Sequence, residues 1–461
     1  MLKRIILCIF IFFISIQVTA CGNEEIKNDE KGITDKNLYD ELLKISGKDK
    51  LYKKDFVDLE CLELSNCNIS SIRGLNKFDL TNLKILDISG NNLIFIDEVS
   101  LQGFESLVEL SLFSNNMERI EIKNLSNLKS LDLSDNNFKN SNDLKINNLY
   151  SLEELSLDSA VYFDLDGNLF DGLYNLEQLR LSNNEIKNIK NNTFSGLNSL
   201  KYITAYASKI KNIEYDAFTG MESLKELDLS GNELEFFYVS TVPKLEKLIL
   251  SANRIYYMRS ISLDSFPDII TLDLTNNIIK DITKDDFKNM TKLKELSLTG
   301  NQIYVLPEDV FMYLDNIEQL SLGRNNIDEL PKNVFANLHD LKRLYIFENN
   351  LQKLRKEDFI NQKELIYLDV SFNDISYIED HVFEDMVQLE CLNLRKNQLK
   401  ELPLLKSMVN FQYENFYNVE YHMETNFMEN FLNKEDFLHS LPEHLLSNQE
   451  WIDTQVSSQY K

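Results

Sequence analysis

The sequence predicts an α/β repeat solenoid, fifteen short units side by side with their strands in one parallel sheet. Three observations predict it. From Leu59 the pattern LxxLxLxxNxL recurs, as in Leu83-Lys-Ile-Leu86-Asp-Ile88-Ser-Gly-Asn91-Asn-Leu93 and Leu293-Lys-Glu-Leu296-Ser-Leu298-Thr-Gly-Asn301-Gln-Ile303. The opening aliphatics fall at 59, 83, 107, 128, 152, 176, 200, 224, 245, 269, 293, 317, 341, 365 and 389, and twelve of these fourteen intervals are 24 residues, the other two 21. Twelve of the fifteen units place Asn at the same point. A fixed period of this length is the mark of a stacked array.

The pattern has a physical reading. In LxL, alternate residues point to opposite sides of a short strand, so the aliphatics enter the core and their neighbours face solvent. One unit cannot bury its apolar side alone, whereas stacked units share a core. The asparagine amide has two donors and an acceptor, enough to satisfy backbone groups where the chain turns off the strand. Cys67, Ala160 and Ser208 replace it in the first, fifth and seventh units, and the turns at Ala160 and Ser208 are therefore the least defined.

These motifs resemble the leucine-rich repeat family, over about three-quarters of the chain. The longer units also carry that family's Phe-x-x-Leu on the return path, as in Phe194–Leu197, Phe335–Leu338 and, with Met, Phe287–Met290. The resemblance implies a horseshoe with its parallel sheet on the concave face, spanning residues 59–403.

Ahead of the array, Lys3 and Arg4 precede an apolar run from Ile5 to Ile16, too short to span a bilayer but suited to a signal peptide over 1–20. Val18-Thr19-Ala20-Cys21 resembles the bacterial lipobox, which implies cleavage before Cys21 and lipidation of its thiol. The residues also fit an ordinary secretory leader cut after Ala20, but basic head, core length and tetrapeptide together favour the lipoprotein. Two or three acyl chains anchor durably, at about 0.8 kcal/mol per buried methylene. The resemblance places the protein outside the cytoplasm on a cell membrane or, in a two-membrane cell, the outer one. Residues 21–34 are polar and read as a flexible tether.

Leu38, Leu42 and Ile45 have helical spacing, with Thr34 or Asp35 as N-cap and Gly47 as stop signal. This helical cap, residues 35–58, resembles the one that precedes the repeats of internalin-like surface proteins. Beyond Leu399 the period stops. Residues 404–461 read as a mixed C-terminal cap with short helices near 423–433 and 435–446.

Composition bounds function. The chain has 48 basic and 74 acidic residues, a net of −26, which argues against a nucleic-acid partner. No phosphate loop, GxSxG elbow, CxxC or paired metal histidines appear, so neither enzyme activity, cofactor, metal nor small-molecule substrate is expected.

The working surface is expected on the outward positions of the sheet. Eleven acids, Glu226 and Asp228 among them, outnumber four bases there. An acidic face favours a basic protein partner, although acids also keep a long sheet soluble. Tyr and Arg dominate contact sites, which makes Arg343, Tyr345, Phe347 and Tyr367 the leading patch and Tyr202 with Tyr206 the second. The competing explanation is aromatic pairing across strands. The reading is a lipid-anchored, adhesin-like scaffold binding an extracellular or host protein. The alternative is an envelope glycan- or peptidoglycan-binding lipoprotein that uses the tyrosines as stacking platforms.

Overall fold

The computed structural model describes residues 24–403 except Asn148 and Asn168, and of the remainder 405, 410, 416–418, 421–423, 427, 430, 438–441, 446, 451–453 and 455. The expected leader, Cys21 and most of the expected C-terminal helices lie outside the described residues.

The first described segment corrects an expectation. Strand β1 (Glu25–Ile26) pairs antiparallel with β2 (Leu51–Tyr52), and Ile26 and Ile33 are buried. Residues 25–33 are therefore docked on the cap rather than a solvated tether, because two isoleucines spaced among polar residues suffice to hold them. Helix α1 (Lys36–Ser46) follows, burying Leu38 and Leu42. Asp35 caps it, accepting from the Leu38 N–H at 3.0 Å, while its other oxygen accepts from Ser70 N and Oγ and from Ser71 N. Burial pushes this carboxyl up, but those bonds outweigh it and hold the pKa below its usual value. Gly47 ends the helix at φ 64°, its N–H reaching Leu43 O and Lys44 O.

By spatial contact the chain forms two compact units, one holding residues up to Ile210 with Asp216–Leu224, the other Lys211–Tyr215 with everything from Lys225. Each is a solenoid of parallel strands. The first contributes seven strands, from Cys61–Glu63 to Tyr202–Thr204, and the second eight, from Glu226–Asp228 to Cys391–Asn393. Register is constant: Leu62 faces Leu86 and Leu86 faces Leu110 in the first unit, Leu248 faces Leu272 and Leu272 faces Leu296 in the second. The return path is made of turns and short 3-10 segments such as Glu98–Leu101 and Lys284–Phe287. There the phenylalanines stack, with centroids 5.3 Å apart for Phe194–Phe218 and 6.0 Å for Phe311–Phe335.

The asparagines form a hydrogen-bonded ladder. Asn373, for example, accepts from Leu351 N at 3.0 Å and donates to Ile346 O of the unit before and to Val370 O of its own, both at 3.0 Å. The turns at Ala160 and Ser208 are well defined, contrary to expectation. The backbone carbonyls of Ala160 and Ser208 take over the acceptor role, receiving Phe138 N and Ile186 N at 2.9 Å. Ser208 Oγ also replaces one amide donor, reaching Leu181 O at 2.6 Å.

The residue before the ladder position has left-handed backbone in all fifteen units, with φ between 51° and 69°. Neighbouring units touch along this column: a Cβ on Gly300 would lie 2.2 Å from Asn276 Oδ1.

Candidate protein-binding face

Arg343, Tyr345, Phe347 and Tyr367 come together in the second unit, as the register requires, but not as an open patch. Tyr345 is 6% and Tyr367 3% exposed, their rings 5.0 Å apart at 41°, packed with Cys391. The expectation of solvent-facing tyrosines is corrected here: alternation put them on the right side of the strand, and the cluster they form is a small core of its own. Tyr367 Oη donates to Asp369 Oδ2 at 3.3 Å, and burial raises the pKa of both groups. Arg343 is half-buried and donates to Gln319 Oε1 at 2.9 Å. Phe347, also half-buried, lies on Gly323, where a Cβ would sit 2.5 Å from the ring.

Tyr202 and Tyr206, in the first unit, are 40% and 47% exposed, as a contact platform requires. The acids are less available than their number implies. Glu226 pairs with Lys247 at 2.9 Å. Asp228 accepts from Ser230 N at 2.9 Å and Ser230 Oγ at 2.6 Å, closing its own strand end. Asp87, Asp132, Asp273 and Asp369 repeat that bond to the N–H two residues on, at 2.8–2.9 Å. The motif Asp-x-Ser/Thr is thus an Asx turn that ends the strand. The geometry of these carboxylates is committed to the backbone.

A set of residues that the sequence reading missed lies in the left-handed column. Units one to eleven fill it with Asn66, Gly90, Ser114, Asp135, Ser159, Asn183, Ala207, Gly231, Ala252, Asn276 and Gly300, all small. The last four fill it with Arg324, Glu348, Phe372 and Lys396 at the same φ. Any residue with a Cβ pays about 1–2 kcal/mol for that conformation, Asn and Asp the least. The four side chains make contacts in two neighbouring pairs, Arg324 with Glu348 and Phe372 with Lys396. Arg324 donates to Glu348 from Nε at 3.0 Å and Nη2 at 3.2 Å, and its guanidinium sits 5.9 Å from the Phe347 centroid. Arg395 and Lys396 lie 5.7 and 5.0 Å from the Phe372 centroid, and Phe372 itself is 38% exposed. The signal was present in the column before the asparagine, where size rises abruptly after Gly300.

Leucine-rich repeat models match residues 58–117, 151–205, 243–303, 291–351 and 341–399, with further matches at 127–149 and 220–235, together more than half of the chain. The chain belongs to the leucine-rich repeat family. Solved leucine-rich repeat structures similar to it include an internalin from Listeria monocytogenes, at 20% identity and TM-score 0.51 over 82% of this chain and 94% of that one. A leucine-rich repeat protein of Leptospira interrogans is similar at 22% identity and TM-score 0.58, over 87% and 95%. The Toll chain of the Drosophila Toll–Spätzle complex has 19% identity and TM-score 0.59, over 80% of this chain and 54% of its own. At these identities the likeness is one of fold. No curated protein matches the chain. Leucine-rich repeat arrays present extended surfaces suited to holding another protein.

Proposed function

We propose that this leucine-rich repeat protein is a non-catalytic scaffold, held on the outside of a bacterial cell by a lipid on Cys21, that binds an extracellular partner protein. The observation that carries the contact surface is the row Arg324, Glu348, Phe372 and Lys396. Strained backbone persists where the surrounding structure imposes it and a use retains it. The fold accepts Gly, Ala or Asn in this column, so folding alone does not call for the large residues. An Arg–Phe–Lys surface matches the composition of contact hot spots. Tyr202 and Tyr206 form a separate exposed patch on the first unit. The basic head, short apolar run and Val-Thr-Ala-Cys tetrapeptide support the anchor.

Two experiments test the reading. Soluble residues 22–461 are used to capture host extracellular proteins, beside a variant with Arg324, Phe372 and Lys396 changed to Gly. The parent should retain a partner that the variant loses, and equal recovery by both would remove the row from the contact surface. For the anchor, Cys21→Ala should shift the full-length protein from membranes to the soluble fraction, whereas continued membrane retention would refute lipidation.

A further inference from the structure

The chain between the lipid on Cys21 and the fold is short, because Glu24 is already part of the fold. Glu24 O accepts from Lys53 N at 3.0 Å, and Lys53 O accepts from Asp79 N of the first repeat at 2.8 Å, so Glu24 is tied to the array through one backbone segment. The residues after it stay seated. Ile26 and Ile33 are 5% and 0% exposed, Ile33 N donates to Lys27 O at 2.9 Å, and Gly32 N donates to Asp29 Oδ1 at 2.7 Å. The first repeat is shaped to receive them: at Gly74, where φ is 96°, a Cβ would lie 2.2 Å from Gly32 O. A terminal segment held by a strand pair and two buried side chains is tied down, not a leash.

Cleavage before Cys21 leaves Cys21, Gly22 and Asn23 ahead of Glu24. Three residues reach at most about 11 Å whatever their conformation. An acylated thiol sits at headgroup level, and the polar region of each leaflet is only about 5–7 Å deep beyond the hydrocarbon. The cap therefore cannot leave the bilayer surface while the acyl chains are inserted. The charge of this end is compatible with that position. Around Glu24, Lys48, Lys50, Lys53 and Lys54 are balanced by Glu24, Glu25, Asp49 and Asp55, with Lys48 paired to Asp55 at 2.7 Å and Lys50 to Glu25 at 3.3 Å. In a chain of net charge −26, an anionic bilayer repels most of the surface but is indifferent to this end.

We propose that the N-terminal cap of the mature protein lies on the bilayer that anchors it, with the β1–β2 pair and the loop of residues 47–54 against the lipid headgroups and no spacer between lipid and fold. The bilayer is the occupant of this face because the chain is too short to hold it elsewhere, with no charge attraction required. The inference rests on the lipid at Cys21 proposed above. Its own content is the orientation that the docked segment imposes: the first repeats are the membrane-proximal ones.

The test uses the mature full-length lipoprotein, purified from membranes and placed in vesicles of phosphatidylcholine and phosphatidylglycerol that include lipid with a nitroxide on its headgroup. Lys53→Trp and Tyr202→Trp are each read against the parent, whose only tryptophan is Trp451. Tyr202 lies six strands along the sheet of the first unit, on the order of 29 Å from Cys61–Glu63. The added emission of Lys53→Trp should be largely quenched on the vesicles, and that of Tyr202→Trp should be kept. Lys54→Trp, at the parent's melting temperature, should repeat the Lys53→Trp result. Inserting about 20 Gly and Ser residues between Asn23 and Glu24, on the order of 25 Å of flexible chain, should restore the emission while the protein still floats with the vesicles. Equal quenching at Lys53→Trp and Tyr202→Trp, or undiminished quenching after the insertion, would overturn the proposal. Variants that float without quenching would remove the orientation and leave the anchor standing, whereas protein that fails to float would remove the anchor and the orientation with it.

Discussion

Asn430 stands one step beyond Asn397 in the asparagine ladder, although 33 residues separate them in the chain. Its Oδ1 accepts from Leu399 N at 3.2 Å and its Nδ2 donates to Leu394 O at 2.9 Å and Phe427 O at 3.0 Å. Asn397 makes the matching bonds to Ile375 N and Val370 O at 3.1 Å. The C-terminal region thus closes the array by imitating one more repeat. Asn430 is 1% exposed, so Asn430→Ala strands buried backbone groups and should destabilise by about 2 kcal/mol. Urea unfolding measures it, and a change within experimental error would remove the capping role.

The two tyrosine pairs should behave oppositely. Tyr345 and Tyr367 are buried against each other, so truncating either to Ala should cost about 3 kcal/mol. Tyr202 and Tyr206 are exposed, so the same change should stay within about 0.5 kcal/mol of the parent. Thermal melts of the four variants separate packing from contact.

Asp358 provides a pH-dependent term. It accepts from Arg355 N at 2.7 Å and Arg355 Nε at 3.3 Å, yet burial outweighs these bonds and pushes its pKa up to about 6 from 3.8. A carboxyl raised on folding favours the native state while protonated. Its contribution is present below about pH 4 and is lost as the pH rises through 6. Referenced to Asp358→Asn, the parent should lose stability across that window, by roughly 3 kcal/mol at most. Parallel pH dependences of the two proteins would contradict this.

Glu318 has the opposite sign. Lys294 at 2.7 Å and Lys342 at 2.8 Å hold its pKa down to about 2 from 4.5. Its contribution is present above pH 4.5 and is lost as the pH falls toward 2. Glu318→Gln should therefore narrow the stability gap between pH 6 and pH 3, as read from melting temperatures.

The array was legible because the physics repeats. Every unit must bury the same aliphatics and satisfy the same turn, so Leu86, Asn91 and their counterparts recur at countable spacing. The docking of Ile26 and Ile33 was not legible, since a two-residue strand has no periodicity to read. Alternation assigned Tyr345 and Tyr367 to a side of the strand, but it carries no information on what packs against that side. The acids at Asp87 and Asp228 were read as surface charge because the serine two places on was not paired with them. The row at Arg324 and Phe372 escaped for a related reason: left-handed backbone is announced by Gly or Asn, and these residues are neither.

The account rests on the row being kept for contact rather than for folding. The most direct measurement pairs the stability of the Arg324, Phe372, Lys396 to Gly variant with its affinity for the partner captured by the parent. We predict a melting temperature equal to or above that of the parent, as left-handed strain of about 1 kcal/mol per residue is relieved, and an affinity lower by about tenfold or more. A variant that melts markedly lower, or that binds the partner as tightly as the parent, would contradict it.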